Sequence, residues 1–390
     1  MLAFIFVPIY YRNQCTTVTE LLDRRYQGGS IRILIGAIFF IGAVLIYLPA
    51  ALYSGSLFIA TMFGFNFSLL WIAAPMAVIA AAYSITGGLR AVAVMDSFAG
   101  IGVLAIAVLI VILALNAIDW DFSGVPPERL TMVGSNSSPI PFHTLFTGMI
   151  FIQIFYWSTN QNITQKAMTA PTVREAQKGV LAAAAIRLAI IPGIVVIPGV
   201  VAYKLFGPLG DASYGRIVAA VLPHWLSGAF AALMAAAVIA HTASILNGTV
   251  AIYSVDFHDK LIAPVKNHWK LAMRVTIILS VIAIALVPMY ENAKSIINLL
   301  QQLNGLASMP ILSAFVVGLL FKNVDARAAV VGVVFGIALY AWLSSAGVPL
   351  LPTWFHYIDG MLVTLVGSIA VSLLANLALQ MGKKTRATAA

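Results

Sequence analysis

Residues 94–117 read VMDSFAGIGVLAIAVLIVILALNA, and after Asp96 no ionisable side chain occurs until Asp119. At about 1.5 Å of rise per residue, such a run spans the roughly 30 Å hydrocarbon core of a bilayer. A helix on the surface of a soluble domain would need a polar face, and this stretch has none. Nine further stretches are also long and apolar enough to span, near 31–59, 67–86, 142–165, 180–202, 226–252, 270–289, 293–321, 326–345 and 354–379. Across the 390 residues 61% are hydrophobic and 9% charged, whereas a soluble domain carries roughly 25% charged residues. So little polar surface cannot cover a chain in water. The expected class is an all-α, polytopic membrane protein forming a single transmembrane domain over 1–390.

The net charge of +9 does not point to nucleic acid, because the basic residues sit in short loops between apolar runs. Arg129, Lys204, Arg216 and Lys294 fall in one alternating set of loops, and Arg187 lies inside a stretch. Every other Lys and Arg falls in the opposite set. By the positive-inside rule that richer set faces the cytoplasm, which predicts a cytoplasmic C-terminus, a cytoplasmic loop at 11–32 and a multi-pass protein of the plasma membrane. Met1–Tyr11 (MLAFIFVPIYY) is apolar but about half a span long and runs into that basic loop. It reads as the inner half of a helix, hence an N-terminally incomplete fold. The polar loop 118–141 divides the helices into two groups. Cys15 is the only cysteine, so no internal disulfide can form.

Polar residues at membrane depth are expensive and therefore mark function. The second half of the 142–165 stretch, Gln153-Ile154-Phe155-Tyr156-Trp157-Ser158-Thr159-Asn160-Gln161-Asn162, is too polar to face lipid. It reads either as a broken helix lining a cavity or as an early helix end with Tyr156 and Trp157 at the interface. Arg187 either snorkels to the surface or bonds a polar solute. His241, Thr242, Ser244 and Asn247 cluster in the sixth stretch, where a histidine can carry protons or simply bond a neighbouring helix. Gln301, Gln302 and Asn304 in the eighth either bridge helices or bind solute. Metal-dependent and nucleophilic enzyme chemistry is not expected: H-E-x-x-H, paired cysteines, G-x-S-x-G and a phosphate-binding G-x-x-x-x-G-K-[ST] loop are all missing.

Tyr83-Ser84-Ile85-Thr86-Gly87-Gly88-Leu89-Arg90-Ala91-Val92 with Asp96 resembles a cytoplasmic loop motif of the solute:sodium symporter family. Phe155–Gln161, continuing through Gln165-Lys166 to Glu175–Gly179, resembles its sugar and inositol branch, and Leu246–Thr249 and Gln302–Leu306 fit as well. The resemblance is collinear over the chain. It implies a transporter rather than an enzyme, with two inverted repeats of five helices and solute and sodium held near the midplane. The ten stretches then supply the second repeat from the fourth to the eighth and the end of the first repeat from the first to the third. Met1–Tyr11 takes the place of the helix before them.

Carried across residue by residue, the resemblance implies solute contacts at Gln153, Tyr156, Trp157, Arg187, Gln301 and Tyr47. It also implies a sodium position at Ala237, Ala240 and His241, where sodium-coupled members supply a backbone carbonyl and two adjacent hydroxyls. Here Ala240 and His241 replace those hydroxyls, and Thr242 stands one residue off. A hard cation prefers oxygen ligands, so the coupling ion is expected to be Na⁺ or, through His241, H⁺. The expected activity is secondary active transport of a small polar organic solute, a sugar or polyol, with no cofactor beyond the coupling ion and with the lipid bilayer as surroundings. A transport-inactive remnant or binding protein is the other reading. Oligomeric state is left open.

Overall fold

The computed structural model describes residues 1–15, 17–27, 29–131, 133–136, 138, 140–291, 295–346, 351–352 and 354–388, without the side chains of Leu89, Ala346 and 383–388. Lys294, the predicted span start at 293, and the side chains of Lys383, Lys384 and Arg386 lie outside that description. Every regular element among the described residues is helical. In order they are α1 (Leu2–Arg12), α2 (Val18–Tyr26), α3 (Ser30–Phe63), α4 (Leu70–Gly88), α5 (Arg90–Ala117), α6 (Leu145–Ser158) and α7 (Gln161–Met168). There follow α8 (Val173–Phe206), α9 (Ser213–Val221), α10 (His224–Ile262), α11 (His268–Glu291), α12 (Ile296–Leu320), α13 (Ala326–Ser345) and α14 (Asp359–Thr388). Nine of them, α3, α4, α5, α8 and α10 to α14, are long and apolar enough to cross a membrane.

The stretch expected to span at 142–165 is not one helix. α6 ends at Ser158, Thr159 and Asn160 leave helical geometry (φ/ψ −130°/0° and −79°/124°), and α7 restarts at Gln161. The sequence encodes the restart locally: the Asn160 side chain caps α7 by accepting from the Asn162 N–H at 2.9 Å. Hydroxyls bond the carbonyls on both sides of the break. Thr159 donates to Phe155 O at 3.0 Å, Thr164 to Asn160 O at 2.9 Å, and Tyr10 to Ser158 O at 3.0 Å. Tyr11 closes the far end of α7 by donating to Ala167 O at 3.1 Å and Ala170 O at 2.7 Å. At about 1 kcal/mol net each, these bonds make α1 a brace for the break.

The loop expected at 11–32 contains a helix. α2 opens with a reciprocal cap in which Thr17 Oγ1 accepts from the Glu20 N–H and the Glu20 carboxylate accepts from the Thr17 N–H. It closes on Gln27 in the left-handed region (φ 52°). Arg32, counted among the loop charges, is buried at the start of α3. Its guanidinium meets Asp256 at 2.7 Å, Asp23 at 3.0 Å and Glu20 at 3.5 Å, while Thr19 donates to the other Asp256 oxygen at 2.5 Å. Buried charges persist only when paired and bonded. The network therefore pins α2 across α3 and α10 at the basic end of the bundle.

Two large apolar cores result among the described residues, with two smaller clusters beside them, one around Phe58 and Phe230 and one around Ala114 and Val201. Of the large cores, one gathers α1, α2, the first half of α3, α6 and α12 to α14 around Phe6, Tyr10, Phe39, Phe155 and Phe315. The other gathers the second half of α3, α4, α10 and α11 around Leu52, Met76, Leu246 and Leu279. α3 passes through both. In the first core α13 and α14 meet through Gly332 and Gly336. A Cβ at those glycines would fall 1.9 Å from Ser372 Oγ and 2.1 Å from Ser368 Oγ, so the four-residue glycine spacing is what lets the backbones touch. α6 thus belongs to one core and the middle of α10 to the other.

Candidate functional site

The residues around α6 are positioned by two widened helical turns. Ala43–Tyr47 in α3 and Leu145–Met149 at the start of α6 have π-type bonding, which inserts an extra residue into the turn and redirects side chains. Tyr47, at the end of the first, donates its hydroxyl to Asn304 Oδ1 on α12 at 2.5 Å. Met149, at the end of the second, lies with its sulfur 3.5 Å from Gln301 Nε2, also on α12. The α6 residues continue the group. Trp157 Nε1 donates to Gln153 Oε1 at 3.0 Å, and the Arg187 guanidinium of α8 sits over the Trp157 ring, 4.9 Å from its centre. Tyr156 packs edge-on against Trp157 with ring centres 5.4 Å apart, and it lies within electrostatic range of Tyr47.

The six residues Tyr47, Gln153, Tyr156, Trp157, Arg187 and Gln301 thus form one neighbourhood around α6, built from α3, α6, α8 and α12. Arg187 is turned onto an aromatic face of α6. Gln153 and Arg187 are exposed, and Tyr156 is 37% exposed, so their polar groups open to space beside the helix. Chemically the group offers amides, phenols, an indole and a guanidinium, which are hydrogen-bond donors and acceptors interleaved with flat apolar faces. No carboxylate is among them.

The far end of α6 is tied down. Asp359, at the start of α14, accepts from the Thr147 hydroxyl and from the His356 N–H at 2.8 Å, and its other close contact is His143 Nε2 at 3.1 Å. Gly148 lets the Ile358 carbonyl approach so closely that a Cβ there would lie 2.1 Å from it. Burial holds the His356 imidazole below its ordinary range. Asp359 pulls the other way, and His143 adds to the effect of burial.

The α10 positions are of another kind. Ala237 is half-buried and Ala240 wholly buried, so Ala240 offers only a methyl. His241 is exposed and lies within electrostatic range of Lys166 and Asp96. Thr242 is buried, and its hydroxyl has no hydrogen-bond partner among the described residues. The adjacent hydroxyl pair implied by the resemblance is not offered here. Lys166 and Asp96 pair at 2.6 Å beside an open crevice of about 700 Å³ that Arg90, Ala93, Ser97 and Thr169 also line. Of the polar residues that cluster in the sixth stretch, His241 is open, Ser244 is buried, and Asn247 accepts from Ser84 at 2.9 Å.

Sequence reasoning missed several partners. Asn304 is polar in a predicted span, but nothing local marks its pairing with Tyr47, 257 residues away. Met149 carries no polar signal, and Lys166 stands in the sequence as a loop charge and part of the Gln165-Lys166 motif, with nothing to mark its pairing with Asp96. The polar run 153–162 did flag the break itself.

The sodium:solute symporter family model matches residues 1–336. The chain is 29% identical over 394 residues to the uncharacterized symporter YidK of Escherichia coli (strain K12), covering 95% of this chain and 68% of that protein. It is 29% identical to the sodium/glucose cotransporter of Vibrio parahaemolyticus, covering 94% of this chain and 72% of that one. It is 27% identical to the sodium/myo-inositol cotransporter 2 of Sus scrofa, where it covers 87% of this chain and 56% of that one. Among solved structures, a Na⁺-coupled sialic acid symporter in a substrate-bound, outward-open state superposes with a TM-score of 0.76 at 18% identity, over 95% of this chain and 80% of that one. MHP1, a nucleobase–cation symport-1 family transporter, gives 0.58 at 19% identity, over 98% of this chain and 84% of that one. These structural likenesses show the all-helical transporter fold that the resemblance implied. The chain belongs to the sodium:solute symporter family.

Proposed function

We propose that this protein is a secondary carrier for a small polyhydroxylated solute, a sugar or a polyol, working by ion-coupled alternating access in the plasma membrane with its C-terminus in the cytoplasm. The single observation that carries the solute class is the α6 neighbourhood. Gln153, Tyr47, Gln301 and Arg187 bring neutral and cationic hydrogen-bonding groups to the faces of Tyr156 and Trp157. Apolar ring faces with convergent donors and acceptors suit a ligand that has C–H faces and a hydroxyl rim. The names of the glucose and myo-inositol cotransporters above agree with that chemistry. The break at Thr159–Asn160 supports a mechanism in which the two halves of the helix move separately around a central site. Coupling then arises because ion and solute favour the same conformation.

A second reading concerns the ion. The buried Ala240 methyl and the exposed His241 favour a proton in place of sodium, because an imidazole can bind H⁺ at a position where it cannot replace a pair of hard oxygen ligands. The test of the whole proposal is uptake of radiolabelled glucose, galactose and myo-inositol into proteoliposomes under an imposed Na⁺ or pH gradient. Saturable uptake of at least one of them is expected. No uptake or exchange of any of the three would overturn the assignment.

A further inference from the structure

We propose that the transported solute meets a second polar contact set on its way to the basic end of the bundle, formed by Gln161 and Gln165 of α7 and Asn247 of α10. This rests on the reading of the protein as a carrier of a polyhydroxylated solute.

Gln161 and Gln165 stand one helical turn apart on α7 and are 3% and 7% exposed. The amide nitrogens of both, and that of Asn247, are sealed from the surface with no acceptor within hydrogen-bond distance among the described residues. For two of them the carbonyl side is already used: Gln161 Oε1 accepts from the Val18 N–H at 2.8 Å, and Asn247 Oδ1 from Ser84 at 2.9 Å. A buried amide NH₂ without a partner costs free energy that it would not cost in contact with water or a ligand oxygen. Gln165 meets α10 directly, while Gln161 turns its carbonyl to Val18 of α2 and Asn247 to Ser84 of α4, so three unpartnered amides at and beside the α7–α10 contact disfavour it relative to a separated, filled state. The contact is nonetheless close. Gly248 presents bare backbone, and a Cβ there would lie 2.6 Å from Asn162 Oδ1 and 3.1 Å from Gln165 Nε2.

Position gives these amides their role. They follow Gln153, Tyr156 and Trp157 along the chain, just past the break. The next residue, Lys166, lines the open crevice with Asp96. Movement of α7 away from α10 would join the α6 neighbourhood to that crevice through the amides. Unpaired NH₂ groups are donors, so they suit a ligand rich in oxygen acceptors such as a polyol. They have nothing to offer a hydrocarbon and would repel a cation.

The experiment replaces the amides by apolar groups of similar shape, Gln165→Leu and Asn247→Leu, in the full chain. Melting temperature, equilibrium binding and exchange across proteoliposomes are then measured with glucose and myo-inositol as probes. The expected result is unchanged or higher thermal stability for Gln165→Leu and a small loss for Asn247→Leu, where Ser84 loses its acceptor; in both, affinity stays within about twofold of the unmodified chain and exchange slows by tenfold or more. Full exchange in both variants would overturn the proposal, because a purely structural amide would change stability without the slowing. If the unmodified chain neither binds nor exchanges either probe, the carrier reading falls and the subsite with it.

A labelling measurement covers the case of a variant that misfolds. Gln165→Cys can be made in the native sequence, because the only cysteine, Cys15, is buried and burial pushes its thiol up to about 11. A charged methanethiosulfonate applied from the basic side should modify the new cysteine, and saturating probe should slow that reaction at least tenfold. Modification at the same rate with and without a probe that binds would overturn the proposal.

Discussion

α6 and the middle of α10 are both polar helix segments in an apolar bundle, and their side chains are treated in opposite ways. Around α6 the polar groups are tied to one another: Trp157 to Gln153, Arg187 over Trp157, Tyr47 to Asn304 and Gln301 beside Met149. On α10 the successive positions 240 to 242 hold a sealed methyl, an open imidazole and a buried hydroxyl without a partner among the described residues. A network of mutual contacts preorganises a surface for a ligand of matching shape. An alanine between a histidine and the rest of the helix preorganises nothing for a hard cation. On the proposed reading, in which α6 holds the solute and α10 the ion, the two sides can change separately, although coupling requires that both report the same conformation.

That separation can be broken or sharpened experimentally. The largest effect is expected from Arg187→Leu combined with Gln301→Leu, which should weaken solute binding by about 100-fold, or roughly 2.7 kcal/mol, without altering the response to either ion. Unchanged affinity would remove these residues from the solute side. Next, His241→Ser restores an oxygen ligand to α10, so uptake should gain several-fold stimulation by Na⁺ and lose its dependence on a pH gradient while solute affinity holds. A smaller effect follows from Thr242→Val. Exchanging an unpartnered buried hydroxyl for a methyl should leave uptake alone and stabilise the protein by about 1 kcal/mol or less, read as a melting temperature. A loss of ion response would instead make that hydroxyl a ligand.

The smallest effect concerns the anchor of α6. His356 is held below its ordinary range, so the unfolded chain takes up the proton first. Stability from this group is complete above about pH 6.5 and declines as pH falls below it. His356→Asn should flatten a slight downward drift of the melting temperature over that window.

The long helices were legible because hydropathy is a local property. The run after Asp96 needs no partner to be read as a span. The break was half legible. The polar run 153–162 and the cap at Asn160 are in the sequence, but Tyr10 bonding Ser158 O at the break and Tyr11 bonding Ala167 O and Ala170 O beyond α7 reach there from about 150 residues away. That brace is a tertiary fact, which is why Met1–Tyr11 read only as part of a span. Arg32 looked like one more loop cation because its partner Asp256 lies 224 residues on. In the site, residue types were readable and pairings were not. Tyr47 with Asn304 depends on one turn of π-type bonding in α3 that no local pattern announces. At α10 the departure at Ala240 and His241 was visible at once, since it is a matter of which atoms are present.

The most direct measurement is uptake of whichever labelled hexose or inositol the protein carries, in proteoliposomes, with the Na⁺ gradient and the pH gradient imposed one at a time. An inward proton gradient should drive accumulation in the absence of Na⁺, and adding Na⁺ should change it little. Accumulation that rises with Na⁺ and ignores the pH gradient would contradict proton coupling.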